Sequence, residues 1–397
     1  MTTAERLTAI ANNVPLVYEA GMEAAKHSEP MSDVNFYDYD GRIIASYTLA
    51  EAQALTKLPD PPKHKGLVFQ GWNWSLEDVN LLTDPMDIGP NYITDDGKTR
   101  VYVTFPLDGM APMVGLQVNG TAIIDWGDGS EPSTLTGTTL NTVVWTENHT
   151  YERKGSYVIS IDVTGSARIY GSNTGTVQGT YLLRKNSTTS DEQIKYQSCI
   201  EKIEFGLNMQ LWWRALHNIK GIKTITIPNS IEITNNYHIT DTSLTGCVTV
   251  PAGHTQSGNG LCSASVNVTV ISLPKSVTVL STYCFTDKRA WFKTANIPPL
   301  VTTIVGHAAR RLTGVSRLII PDKVETIGTN AFYDAPSLTE VHFRGATPPV
   351  LAADALTNIF YNVGAWCVFY VPKGCLEAYQ NATNYASIAD RIQEEPE

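Results

Sequence analysis

The side chains able to do chemistry stand far apart in this 397-residue chain. None of the compact catalytic spacings occurs: there is no H-E-x-x-H, no G-x-S-x-G, no phosphate-binding P-loop and no dinucleotide-binding glycine pattern. The eight histidines are scattered, and none stands at metal-ligand spacing from another His or Cys. Carboxylates pair at Asp38/Asp40, Asp95/Asp96 and Asp125/Asp128, but each pair adjoins glycine in a turn context, where Asp shapes backbone without catalysis. Cysteines at 199, 247, 262, 284, 367 and 375 contain no C-x-x-C pair and match no zinc-site spacing. They are expected to be reduced, small core residues. The expectation is a chain that is not an enzyme and carries neither cofactor nor metal.

Binding chemistry is better represented. Trp72 and Trp74 alternate about Asn73, Trp212 and Trp213 are adjacent, and Trp291 stands in the polar stretch Asp287-Lys-Arg-Ala-Trp291. Exposed aromatics of this kind serve sugar or protein contacts. Charge argues against other partners. Acidic residues outnumber basic ones 39 to 29, and the best basic cluster is only Lys63-His64-Lys65, so no nucleic-acid partner is expected. The longest apolar run, Ala365–Val371, is far short of the roughly 20 residues of a membrane span, so no membrane insertion is expected. Met1-Thr-Thr-Ala-Glu-Arg6 has no basic leader before an apolar stretch.

The elements that must position these residues follow from periodicity. Leu7, Ile10, Val14 and Val17 form a short heptad-like seam interrupted by Pro15. This predicts an N-terminal helix over 1–32 that anchors or oligomerises the chain. Phe36–Tyr39 and Arg42–Tyr47 flank Asp40-Gly41 as strand, turn and strand. Thr48-Leu-Ala-Glu51 is a capping box, Gly66–Trp74 reads as a strand, and Ser75 opens a second short helix, giving a small α+β module over 33–95. From 96 to 166 the pattern is all β, with alternation at Val101, Val103 and Phe105 and at Ile159, Ile161 and Val163. Residues 167–198, rich in Gly, Ser, Thr and Asn, read as a transition hairpin.

The strongest signal lies in the second half. Prolines close short β-branched or apolar runs at 228, 251, 274, 298, 321, 348 and 372, a period in the twenties. Such a period predicts a solenoid over 199–392 with one strand per coil and a helical cap over Leu376–Ile392. Strand alternation then assigns faces. Ile225, Ile227, Val248, Val250, Ile271, Leu273, Ala295, Ile297, Leu318 and Ile320 point inward. Outward lies a ladder that is mostly Thr, Ser and Asn. Thr224, Thr226, Thr249, Ser272, Thr294 and Asn296, with Trp213 and Trp291, are the candidate ligand-binding residues; the alternative is an ordinary solvated β surface. The fold class is mainly β and multidomain.

Three stretches resemble known families. Phe36-Tyr-Asp-Tyr-Asp-Gly41 and Gln70-Gly-Trp-Asn-Trp74 frame a module similar to the β-grasp repeats of internalin-type surface proteins, and similar too to a module of tailed phages. Ile123-Ile-Asp-Trp-Gly-Asp-Gly-Ser130, His149-Thr-Tyr151 and Gly155-Ser-Tyr-Val158 together resemble a PKD domain, an immunoglobulin-like β-sandwich. There Trp126 is expected in the core and His149 with Tyr151 at a structural corner. Arg317-Leu-Ile-Ile-Pro-Asp-Lys-Val-Glu-Thr-Ile-Gly-Thr-Asn-Ala-Phe332 resembles a BspA-type leucine-rich repeat. These resemblances imply a structural component of a tailed-phage virion, such as a fibre, capsid decoration or baseplate appendage. It would be made in the host cytoplasm and would attach to host-surface or mucosal glycans or proteins. Its partners would be its own copies, a trimer first, and other virion proteins held through the N-terminal region. A bacterial cell-surface adhesin is the alternative.

Overall fold

The computed structural model describes residues 33–172, 179–185, 195–232, 238–287 and 293–396. The expected N-terminal helix, with Leu7, Ile10, Val14 and Val17, lies outside the described residues, and so does Trp291. Around the Asp40-Gly41 turn, β1 (Val34–Tyr37) and β2 (Ile43–Tyr47) pair antiparallel. Thr48 caps α1 (Leu49–Gln53) as the sequence requires: its hydroxyl accepts from the Glu51 amide, and Glu51 accepts from the Thr48 amide. β3 (Leu67–Trp72) precedes α2 (Leu76–Asn80), which Ser75 caps. β4 (Met86–Ile88) runs parallel to β1, and β5 (Pro90–Thr94) pairs antiparallel with β3. Val34, Phe36, Ala52, Trp74, Val79, Leu82, Met86 and Ile88 form a small core of their own.

The next strands are longer. β6 (Thr99–Phe105), β7 (Gly115–Asp125), β8 (Ser133–Trp145) and β9 (Gly155–Ile169) pair antiparallel in the order β6-β9-β7-β8. Their alternating residues, Val101, Val103, Phe105, Ile159, Ile161 and Val163, are buried. Gly120 stands in register with Gly137 on one side and Gly165 on the other. At its φ of +120° a Cβ would meet the Thr164 carbonyl oxygen at 2.2 Å, so the strands can come together there only as glycines. Trp126 is fully buried and stacks on His149 with ring centroids 4.5 Å apart, while the Tyr151 hydroxyl donates to the Trp126 carbonyl at 2.8 Å. His149 is tied to Asp128 at 2.7 Å. This cluster holds a corner of the sheet together.

The sheet does not end at residue 166. A short hairpin of β10 (Gly171–Ser172) and β11 (Gly179–Thr180) follows β9. Then β12 (Ile200–Glu204) pairs antiparallel with β6, β13 (Met209–Leu211) pairs parallel with β9, and β14 (Thr224–Thr226) pairs parallel with β12. The result is one seven-stranded sheet that carries the chain directly into the repeats. Strand pairing thus crosses the boundary expected between 166 and 199, because the first repeat strands find their hydrogen-bond partners on the preceding sheet.

Beyond it the ladders are parallel. β15 (Cys247–Thr249) pairs with β16 (Val270–Ser272). A second ladder joins β17 (Val279–Leu280), β18 (Thr303–Ile304), β20 (Thr326–Ile327) and β22 (Val350–Leu351). A third joins β19 (Arg317–Ile320), β21 (Glu340–Phe343), β23 (Val368–Val371) and β24 (Ile392–Glu394). Register partners such as Val248 and Ile271, or Leu318 and Val341, are equivalent positions of successive repeats. Every residue assigned inward by alternation is at most 6% exposed, from Ile225 to Ile320. Each such Ile, Leu or Val contributes about 1.5–3 kcal/mol by burial. The helix expected over 376–392 is replaced by α3 (Leu376–Gln380), a left-handed Asn384 at φ +71°, a 3-10 turn at Ala386–Arg391, and β24. The helix ends at its Asn381 cap, and the left-handed Asn384 beyond it turns the chain toward the 3-10 turn and the final parallel strand. The chain is mainly β and multidomain. Among the described residues no helix is long and apolar enough to cross a membrane.

Candidate functional site

The polar ladder of the repeats is the surface on which sequence placed ligand binding, and most of it is covered. Thr226, Thr249 and Ser272 are 0, 2 and 0% exposed. Residues 73–91 of the N-terminal module lie against them. The Asn73 side-chain amide donates to the Val250 carbonyl (3.1 Å), the Ser272 carbonyl (3.2 Å) and Ser272 Oγ (2.9 Å), while its Oδ1 accepts from the Gly89 amide at 3.1 Å. Ser272 Oγ donates to the Asp87 carbonyl at 2.8 Å. Asn91 reaches the Ile227 carbonyl at 2.8 Å, and the Trp74 indole reaches Leu273 at 2.9 Å. Gly89 is needed for close approach, since a Cβ there would meet Thr249 Oγ1 at 2.1 Å. Tyr37 packs on Cys247 and Val270, and Lys275 to Asp78 and Arg344 to Asp84 pair at the rim. Alternation reports that a side chain points away from its own sheet; it does not report what lies beyond.

The remaining candidates divide. Thr224 is half-buried on β14 at the sheet edge, and Trp213 is half-buried beyond β13, its carbonyl accepting from the Gly171 amide at 2.8 Å. Neither lines the site described next. Trp72 and Trp74 do not alternate on one strand, because β3 stops at Trp72; the Trp72 indole donates to the Pro59 carbonyl at 3.1 Å. Thr294 and Asn296 are brought together with Asp87. The Thr294 hydroxyl and Asn296 Nδ2 both donate to Asp87 Oδ2, the latter at 2.9 Å, with Asn35 and Tyr37 adding bonds from the module. Asp87 is 3% exposed and pairs with no cation among the described residues. Burial pushes its carboxyl above the ordinary range, against the pull of these donors.

Next to this carboxylate a cleft of about 610 Å³ opens between module and repeats. Asn35, Tyr37 and Ser46 line one wall, and Thr294, Asn296 and Arg317 the other. It opens where the ladder is broken: residues 293–297 join no sheet, leaving β16 and β19 as edges of separate ladders. Sequence reading found Thr294 and Asn296 from alternation but missed Asn35, Tyr37 and Ser46. Tyr37 lies in the Phe36–Gly41 motif, the one available signal. The two carboxylates of the cleft already accept bonds from protein donors, and among the described residues no group of three or more His, Cys, Asp or Glu could hold a metal ion. The arrangement suits binding.

Parallel strands in equivalent register, closing on an aliphatic interior, define a protein of leucine-rich-type repeats. The family model of the BspA type leucine-rich repeat region matches residues 185–291 and 288–386, in six copies. These residues make up half of the chain, and the chain belongs to that family. No curated protein matches it.

Proposed function

We propose that this chain is a non-enzymatic attachment protein, in which the repeats and the docked module form one recognition head for a surface glycan or protein. BspA-type repeats are consistent with a surface adhesin-like protein. The observation that carries the reading is the cleft at the break in the polar ladder, where neutral hydrogen-bonding side chains from both parts of the chain converge. A particle-borne form of the same function, as part of a tailed-phage virion, is favoured by one further observation. Tyr37 of Phe36–Gly41, and Gln70, Asn73 and Trp74 of Gln70–Trp74, the motifs that resemble a phage module, are themselves residues that touch the repeats.

Immunogold electron microscopy of whole producer cells and of induced lysates, with antibody to residues 199–397, tests this. Gold on the cell surface supports the adhesin, and gold on particles supports the virion component. Gold confined to the cell interior overturns attachment altogether.

A further inference from the structure

The charges around the cleft are unequally committed. Of its acids, Asp33 accepts from the Leu49 amide at 2.9 Å, and Asp84 is held by the Arg344 guanidinium at 2.8 Å. Its cations are freer. Lys293 is exposed and makes no ion pair among the described residues, and Arg317 has only a long contact of 3.8 Å to the half-exposed Glu340. The two acids of the lining are thus already engaged by protein donors, whereas its two cations have few protein partners and are left to meet a ligand.

The neutral groups are held in place before any ligand arrives. Asp87 fixes Thr294 and Asn296 as donors, which leaves Asn296 Oδ1 free to accept. Asn35 Oδ1 accepts from the Ser46 hydroxyl at 2.8 Å, leaving the serine oxygen to accept in turn. Side chains that both donate and accept match the hydroxyls of a sugar, which do the same. Tyr37, the 57% exposed Ile43 and Ile319 supply apolar surface for a ring face. The volume lies within the roughly 300–1,000 Å³ of small-ligand clefts.

We infer that the cleft binds a carboxylate-bearing saccharide, its carboxylate held by Lys293 and Arg317 and its hydroxyls by Asn35, Ser46, Thr294 and Asn296. This deepens the attachment reading and rests on it. Arginine and lysine at the mouth supply charge-assisted bonds, and the fixed amides and hydroxyls reduce the ordering cost of binding.

The test applies the full chain to an array of uronic- and sialic-acid oligosaccharides beside their carboxyl-reduced counterparts, with a polyglutamate peptide as a further probe. At least tenfold tighter retention of an acidic saccharide than of its reduced partner is expected, falling with salt and abolished by Lys293→Ala with Arg317→Ala. Both residues are exposed, so the double variant should fold. Equal retention of acidic and reduced sugars, or of none, overturns the inference, and so does capture of the peptide alone. Whole-cell binding by the same double variant separates the two readings. Undiminished binding removes the cleft while leaving attachment standing; failure of the unmodified chain to bind any cell removes attachment itself.

Discussion

Asn73 is the residue on which docking of the module most depends, and Asn73→Ala measures it. The side chain is 2% exposed and bonds to the Val250 carbonyl, the Ser272 carbonyl, Ser272 Oγ and the Gly89 amide. Two of these partners keep other bonds: the Ser272 carbonyl accepts from the Val250 amide, and Ser272 Oγ donates to Asp87. The Gly89 amide and the Val250 carbonyl lose the bonds described here. Two buried, unsatisfied backbone groups cost about 1–3 kcal/mol each, so stability should fall by about 2–6 kcal/mol. Urea unfolding followed by the fluorescence of buried Trp74 reads the loss. Hydrogen exchange should show faster opening of 247–249 and 270–272 while the β19-β21-β23 ladder stays protected. Because both residues belong to one network, Asn73→Ala and Ser272→Ala together should be non-additive by about 0.5–3 kcal/mol. A loss below about 0.5 kcal/mol, with exchange at both strands unchanged, would refute the reasoning.

Two further outcomes follow from buried titratable groups. Asp87 has a folded pKa raised by burial above its unfolded value, so its contribution to stability is fully present below the ordinary carboxylate range and is lost as pH rises through the raised value. Melting temperatures across roughly pH 4 to 8 should therefore carry a downward component that Asp87→Asn removes; an identical slope in the variant would count against a buried, perturbed carboxyl. Burial pushes the thiols of Cys247 and Cys367 up to about 12, and that of Cys199 up to about 11, while Cys375 is only half-buried. Iodoacetamide on the folded chain, read by mass spectrometry, should modify Cys375 first among these four, and equally fast labelling of Cys247 would contradict the docked module that covers it.

Much of the local structure was legible because its causes are local. The capping box at Thr48 and Glu51 and the cap at Ser75 form as written, since each needs only residues three positions apart. The turn at Asp40-Gly41 likewise carries its own instructions. The helix expected over 376–392 failed for a tertiary reason. Its apolar spacing was compatible with a helix, but Ile392–Glu394 gains a full set of ladder bonds by pairing with β23. Across the hairpin segment 167–198 the sheet continues, because β12 finds its partner in β6, far back along the chain.

The site divides along the same line. Alternation and the proline period fixed, from sequence alone, which repeat residues line the interior and which point away, and burial of Ile225 through Ile320 agrees residue by residue. Those are statements about a strand's own two faces, and a period of two suffices for them. What covers the outer face was decided only in three dimensions. Thr249 and Ser272 meet Gly89, Asn73 and Asp87 from a segment well over a hundred residues earlier, and Thr294 with Asn296 meets a single buried carboxylate. No spacing in the sequence encodes such a meeting. It arises because the polar face of the repeats and the polar edge of the module can each satisfy the other's donors and acceptors, and the cleft is left where the ladder between β16 and β19 breaks and that match stops.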